Sequence, residues 1–169
     1  MLTVCSDTHS NEGHALEGRT LDAVREADAV IHAGDFTSTS ALEDFYDVAD
    51  TLYPVHGNAD SAAVRDRLPT ARTVEYEGVR IAVTHRRDGG PTALSLFGRQ
   101  KGADLVISGH SHDPGVVETD AVTLLNPGSH AQPRGNRPGH AELVATDGGL
   151  DGTLVQPDGT VFEEFSIRP

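Results

Sequence analysis

Short apolar runs punctuate the chain at Leu2–Cys5, Ala29–Ile31, Tyr53–Val55, Val79–Val83 and Leu105–Ile107. Their length suits strands better than core helices. The pattern predicts strands over 2–6, 29–33, 53–56 and 104–108, with helices over 14–26, 40–50, 62–68 and 92–101 between them. Arg72 to Tyr76 and Val79 to Thr84 flank Glu77-Gly78, which reads as a hairpin. Beyond residue 113 the chain turns strand-rich: 115–118, 121–125, 140–145, 152–156 and 160–167, with Gly and Asp turns at 147–152 and 157–159. Alternation first and antiparallel strands later predict an α/β fold of two stacked sheets with helices outside. No internal repeat, linker or low-complexity tail interrupts it. The 169 residues are therefore expected to form one domain, 1–169, long enough to bury a sizeable core.

Each of the five apolar runs ends in side chains that bind metals: Asp7-Thr8-His9, Gly34-Asp35, Gly57-Asn58-Ala59-Asp60, Thr84-His85 and Gly109-His110-Ser111-His112. In open α/β sheets the carboxyl ends of the strands line the ligand crevice. The order of motifs is therefore expected to deliver two Asp, four His and one Asn to one edge of a sheet. Asp7 and His9 share a side of an extended segment because alternate residues do. Gly34 permits a tight turn before Asp35, and His110 and His112 stand two apart after a strand. Taken singly, each motif is matched by ordinary turn and capping chemistry. Taken together in this order, they predict a two-metal site, and carboxylate oxygen with imidazole nitrogen suits Mn, Zn, Fe, Ni or Co.

Composition narrows the picture. The net charge is −13, with Lys101 the only lysine against twelve arginines. That balance predicts a protein of a salt-rich cytoplasm, and it argues against nonspecific nucleic-acid binding, which needs basic surface. No apolar run is long enough to cross a membrane, and the N-terminus enters a strand at once, without the succession of a signal peptide. Cys5 stands alone, so no intrachain disulfide forms. A cytoplasmic location is the resulting expectation.

The ordered motifs resemble the calcineurin-like metallophosphoesterase family, whose pattern is Asp-x-His, Gly-Asp, Gly-Asn-x-(Asp/Glu), His and Gly-His-x-His. Ser6-Asp7-Thr8-His9-Ser10-Asn11, His32-Ala33-Gly34-Asp35 and Asn126-Pro127-Gly128-Ser129 followed by Pro133-Arg134 are similar to its small prokaryotic, YfcE-like phosphodiesterase branch. The resemblance implies a four-layer α-β-β-α sandwich of two mixed sheets flanked by helices. It implies one metal held by Asp7, His9 and His112, another by Asn58, His85 and His110, and Asp35 bridging both. Manganese is the expected metal, with Zn, Fe, Ni or Co as alternatives.

The implied reaction is hydrolysis of a small phosphoester, a diester in preference to a monoester, with Asp35, Asn58 and His85 at the catalytic centre. A protein-binding scaffold like the retromer small subunit is the competing implication, and the resemblance also allows a homo-oligomer. Two departures stand out. Ala59 occupies the position where larger phosphatases carry a His that protonates the leaving group, which leaves Asp60 as the nearest carboxyl by sequence. Arg86, with Arg87 beside it, follows His85 where the family has Gly. Arg86 and Arg134 are candidate phosphate contacts. His32 and His56 are candidates for orienting ligands, whereas His14, His130 and His140 read as surface residues.

Overall fold

Residues 1–169 are all described by a computed structural model. Eleven strands and four helices follow one another as β1 (Leu2–Cys5), α1 (Gly18–Glu26), β2 (Ala29–His32), α2 (Thr39–Val48), β3 (Leu52–Pro54), α3 (Ala62–Arg65), β4 (Ala71–Tyr76), β5 (Val79–Thr84), α4 (Gly90–Lys101), β6 (Leu105–Ile107), β7 (Gly115–Glu118), β8 (Thr123–Asn126), β9 (His140–Thr146), β10 (Gly149–Val155) and β11 (Val161–Ile167). One sheet has six strands in the order β11-β10-β9-β1-β2-β3, and the other has five in the order β4-β5-β6-β8-β7. Both are mixed. β1, β2 and β3 run parallel while β9 pairs antiparallel with β1. In the second sheet β5, β6 and β8 run parallel, and β4 and β7 close its edges antiparallel.

The period-2 alternation of the strands assigns the layers. Leu2 and Val4 of β1 and Ala29 and Ile31 of β2 meet Ile81, Val83, Leu105 and Ile107 between the sheets. Their neighbours Cys5 and Val30 point the other way, against Val24, Leu42 and Phe45 of α1 and α2. Ala82 and Val106 of the second sheet pack on Phe97 of α4. Four layers result, with the thickest apolar core between the two sheets.

The boundaries depart from the expected ones where backbone chemistry intervenes. Helix α1 begins at Gly18, not His14. His14 Nδ1 accepts a hydrogen bond from Leu16 N, and Arg19 N donates to Pro157 O, so the segment before α1 is committed to a turn and to the β10–β11 loop. Helix α3 stops at Arg65 rather than Leu68. Pro69 follows, and the residue before a proline is driven out of the helical region. Strand β10 starts at Gly149, pairing with Thr146, so the turn between β9 and β10 is much tighter than the span 147–152.

Two histidines expected at the surface are buried. His140, on β9, has no exposed surface: Nδ1 meets Thr20 Oγ1 at 3.0 Å and Nε2 meets Glu142 Oε1 at 3.0 Å. Arg19 of α1 reaches the same carboxylate in a fork, at 2.8 and 2.6 Å. Burial disfavours the charged Glu142, yet His140 and Arg19 hold its pKa down at about 2. His130 is buried beside Phe45, and burial pushes its pKa down to about 4.

Candidate metal centre

The parallel strands of both sheets end at the same rim of the sandwich, and their exit loops are stitched together by backbone hydrogen bonds. Asp7 N donates to Gly34 O, His9 N to Asp35 O, and Ser10 N to Phe36 O, which extends the β1–β2 ladder past the ends of the strands. Gly109 N donates to His85 O, doing the same for β6 and β5. The ligand-type side chains are therefore not on one sheet edge, as the sequence pattern suggested. Asp7, His9, Asp35 and Asn58 leave the six-stranded sheet, and His85, His110 and His112 leave the five-stranded one. The site is the seam between the two sheets.

Six of these side chains form two groups. Asp7, His9 and His112 place ligand atoms within 4.8 Å of one another, and so do Asp35, His85 and His110. Asp35 links the groups, with Oδ2 3.3 Å from His9 Nε2 and 3.1 Å from His85 Nε2. Asp7 Oδ1 stands 3.3 Å from His112 Nε2 and 3.7 Å from His9 Nε2. The rings of His9 and His112 stack at 4.9 Å, and those of His85 and His110 meet edge-on at 5.3 Å. Asn58 is exposed on the loop after β3 and lines a cavity beside His85.

The donor set fits divalent cations on a specific observation. His85 Nδ1 lies 2.8 Å from Ala33 O and His112 Nδ1 is bonded to Gln132 O. A carbonyl only accepts, so each Nδ1 carries the hydrogen and each Nε2 presents a lone pair. Those lone pairs face Asp35 and Asp7, groups that also only accept when ionised. Nε2 of His9 and of His85 are buried without a hydrogen-bond partner. A buried polar atom in that condition is costly, and a cation among the facing donors satisfies all of them.

Without a metal, a proton competes for the same space between Asp35 and His85. Burial opposes ionisation of Asp35, yet His85, the Ala59 amide and His9 hold its carboxyl below the usual range. Burial opposes charging of His85, but the attraction of the Asp35 carboxylate 3.1 Å away holds its pKa above the ordinary value. Burial, then repulsion from His85 and Arg86, keeps His110 lowered and hence neutral.

The supporting shell is dense. Asp7, with no exposed surface, accepts Ser6 Oγ at 2.7 Å on Oδ2 and the His110 amide on both oxygens. Ser129 Oγ donates to Asp7 O and accepts from Gln132 N, so the loop that orients His112 is tied to the ligand it faces. Asn126 Nδ2 donates to Gly109 O and Ser111 Oγ, holding the His-x-His loop. Asp60, 2% exposed, accepts from Asp35 N at 3.0 Å, Gly57 N at 2.7 Å and Thr37 N at 2.7 Å. Both its oxygens are occupied as acceptors, which rules against the proton-donor role considered from its place in the sequence.

Backbone strain accompanies this packing. Asp7, His9, Asp35, His110 and His112 all adopt positive φ, between 45° and 74°. Non-glycine residues hold such angles at a cost of about 1–3 kcal/mol each, and do so mainly at functional sites. Two glycines are there for space. A Cβ on Gly57 would sit 2.1 Å from Asp35 Oδ1, and one on Gly109 would sit 2.0 Å from Ser6 Oγ.

His32 stacks on Phe36 at 3.7 Å; its Nδ1 accepts from Gly34 N, so Nε2–H donates to Thr8 Oγ1 at 2.8 Å. It therefore supports the loop backbones and does not touch a ligand side chain. His56 is half-buried and shares the cavity that holds Asn58. Arg86 Nη1 lies 3.4 Å from His110 Nε2. Arg134 is exposed and lines neither of the two cavities that adjoin His85, although its loop supplies Gln132 O to His112. The roles of Ser129, Asn126 and Asp60 were not read from the sequence; a Ser, Asn or Asp among Gly and Pro signals a turn, and only the fold shows which loop it secures.

Comparison with known proteins places these features in context. The sequence model of the calcineurin-like phosphoesterase superfamily domain matches residues 1–149. A probable metallophosphoesterase of Methanothermobacter thermautotrophicus is 31% identical, over 99% of each chain. The phosphodiesterase YfcE of Escherichia coli is 24% identical, over 79% of this chain and 73% of that protein. In structure, Entamoeba histolytica Vps29 complexed with zinc superposes with a TM-score of 0.80 and 22% identity over 98% of both chains, a likeness of fold.

Proposed function

The chain belongs to the calcineurin-like phosphoesterase superfamily, and on that premise we propose that it hydrolyses phosphodiesters at the seam between its two sheets, with two divalent cations held by Asp7, His9, Asp35, Asn58, His85, His110 and His112. The observation that carries this reading is Asp35, whose Oδ2 stands within 3.3 Å of histidines from both groups. A carboxylate so placed would hold two cations with one charge. A pair of such cations, when bound, polarises a phosphoryl oxygen and lowers the pKa of a bound water.

The chain's own residues account for the rest. His85 and His112 are locked in the tautomer that presents Nε2, by Ala33 O and Gln132 O respectively. Such partners fix ring orientation and are commonly worth 10–100-fold in metal affinity or activity. Two carboxylates against two dications leave the site net positive, which attracts an anionic ester despite the acidic surface. Arg86, beside His110, adds a positive charge at the rim. Four imidazoles with two carboxylates suit divalent ions of the first transition series, manganese among them, better than magnesium. The similarity to a protein named a phosphodiesterase favours a diester over a monoester.

Comparing bis(p-nitrophenyl) phosphate with p-nitrophenyl phosphate, with Mn²⁺ present, tests the reading. Faster turnover of the diester supports it. Faster turnover of the monoester makes the protein a phosphomonoesterase, and metal binding without turnover of either makes it a scaffold.

A further inference from the structure

Beside the second ligand group lies a cavity of about 390 Å³, with Asn58 and His85 on its wall, that contains no apolar side chain. Its lining includes Arg65, Arg86 and Arg87, three guanidiniums from a chain of net charge −13. Arg86 is paired with Asp88 at 3.0 Å, whereas Arg65 and Arg87 have no carboxylate partner. The side-chain ion pairs of the protein engage five of its twelve arginines, Arg19, Arg67, Arg80, Arg86 and Arg168, and Arg65 and Arg87 are among the seven without a carboxylate. Both are nonetheless positioned. Arg65 Nη1 donates to Asp60 O at 2.9 Å, and the Arg87 guanidinium lies 4.2 Å above the Phe97 ring. Arg86 alone adjoins a ligand histidine. Across Arg86 and Arg87, a second cavity of about 410 Å³ is walled by Pro91, Leu94, Pro114 and Val117, a surface suited to an uncharged group.

One scissile phosphate cannot account for this arrangement. The ligand groups and Arg86 already supply its counter-charge, and Arg65 and Arg87 are held separately, by Asp60 O and by the Phe97 ring. Guanidinium forks recognise phosphate bidentately and stay charged at every working pH. We propose that this cavity receives a second phosphate of the substrate, so that the diester cleaved is one carrying a terminal phosphate on one arm, as in a phosphorylated nucleotide ester. This rests on the phosphodiesterase reading and narrows it to a substrate class.

The test compares thymidine 5′-(p-nitrophenyl phosphate) with the same ester phosphorylated at the 3′ oxygen, on Mn²⁺-loaded protein at one KCl concentration. The wild type should favour the phosphorylated ester at least tenfold in kcat/KM, mainly through KM. The double variant Arg65→Gln, Arg87→Gln should bring that ratio toward one; both side chains are exposed, and a melting curve checks the fold. Equal turnover of the two esters by the wild type, or an advantage that survives in the double variant, overturns the inference and leaves the phosphodiesterase reading intact. Binding of inorganic pyrophosphate to metal-free protein, followed by calorimetry, provides a readout independent of turnover. Loss of at least tenfold in affinity in the double variant supports the anion cavity even if neither ester is hydrolysed, a result that would instead remove the phosphodiesterase reading. Equal pyrophosphate binding by wild type and variant overturns the cavity's assignment.

Discussion

Asp35 faces His85 across 3.1 Å, Oδ2 to Nε2, while the other nitrogen of the same ring is engaged by Ala33 O. An acceptor therefore points at an acceptor, inside a site where both residues are buried. A shared proton relieves that opposition in the metal-free protein, and a divalent cation relieves it by taking the proton's place, so loading the site should release protons.

Asp35→Asn removes the charge that links the two ligand groups. Loss of a partner one layer further from the metal already costs about 10–100-fold in metal affinity or activity. Turnover of Asp35→Asn is expected to fall by more than that, with metal content below two per chain and the circular-dichroism spectrum of the wild type. Near-native turnover with two metals retained would remove Asp35 from its bridging role.

Ala59 leaves the departing alkoxide without a proton from the side chain at that position. Its amide donates to Asp35 Oδ1 at 2.7 Å, so the exposed methyl lies beside the site without a group to give. General acid catalysis is worth about 10²–10⁴-fold. Rates should therefore fall steeply as the leaving-group pKa rises, and less steeply in Ala59→His. A flat wild-type dependence, with chemistry rate-limiting, would assign the acid to another residue. Asp60 is not that residue while its two oxygens accept three amides.

Glu142 gives the fold an acid-sensitive joint between α1 and β9. Its pKa is about 2 in the folded protein against 4.5 for the free side chain. Between those values the unfolded chain binds more protons than the folded one, so stability falls as pH drops through that window and is fully present above it. The contribution is on the order of 3 kcal/mol. Urea unfolding midpoints should fall between about pH 4.5 and 2 in the wild type, and much less in Glu142→Gln, which starts lower at neutral pH.

The net charge of −13 predicts a response to salt. Near 1 M KCl the Debye length is about 3 Å, and repulsion among the exposed carboxylates is screened. Tm should rise by at least about 2–4 °C from low to molar KCl, the shift that 1 kcal/mol makes in a domain of this size. A steady fall in Tm over that range would contradict the expected adaptation to high salt.

Much of this site was legible because strands end where apolar runs end, and the ligand-type residues stand directly after them. Asp7 and His85 could be placed at the rim from that rule alone. The two-sheet origin of the site could not, since nothing local distinguishes β5 and β6 from partners of β1 and β2. The hairpin was legible from Glu77-Gly78, whose positive φ values, 48° and 82°, suit a two-residue turn. His140 was not, because the Thr20 hydroxyl that receives it lies 120 residues away. Asp60 read only as the carboxyl nearest Ala59, and the convergence of three loop amides shows it holding the β2 and β3 exits together.

Metal titration of chelated protein against turnover of bis(p-nitrophenyl) phosphate tests the central account most directly. Activity should be absent without metal and rise with added Mn²⁺ to a break at two equivalents, with Mg²⁺ restoring less. Turnover by metal-free protein, a break at one equivalent, or two bound metals without turnover would contradict a dinuclear phosphodiesterase built on Asp35.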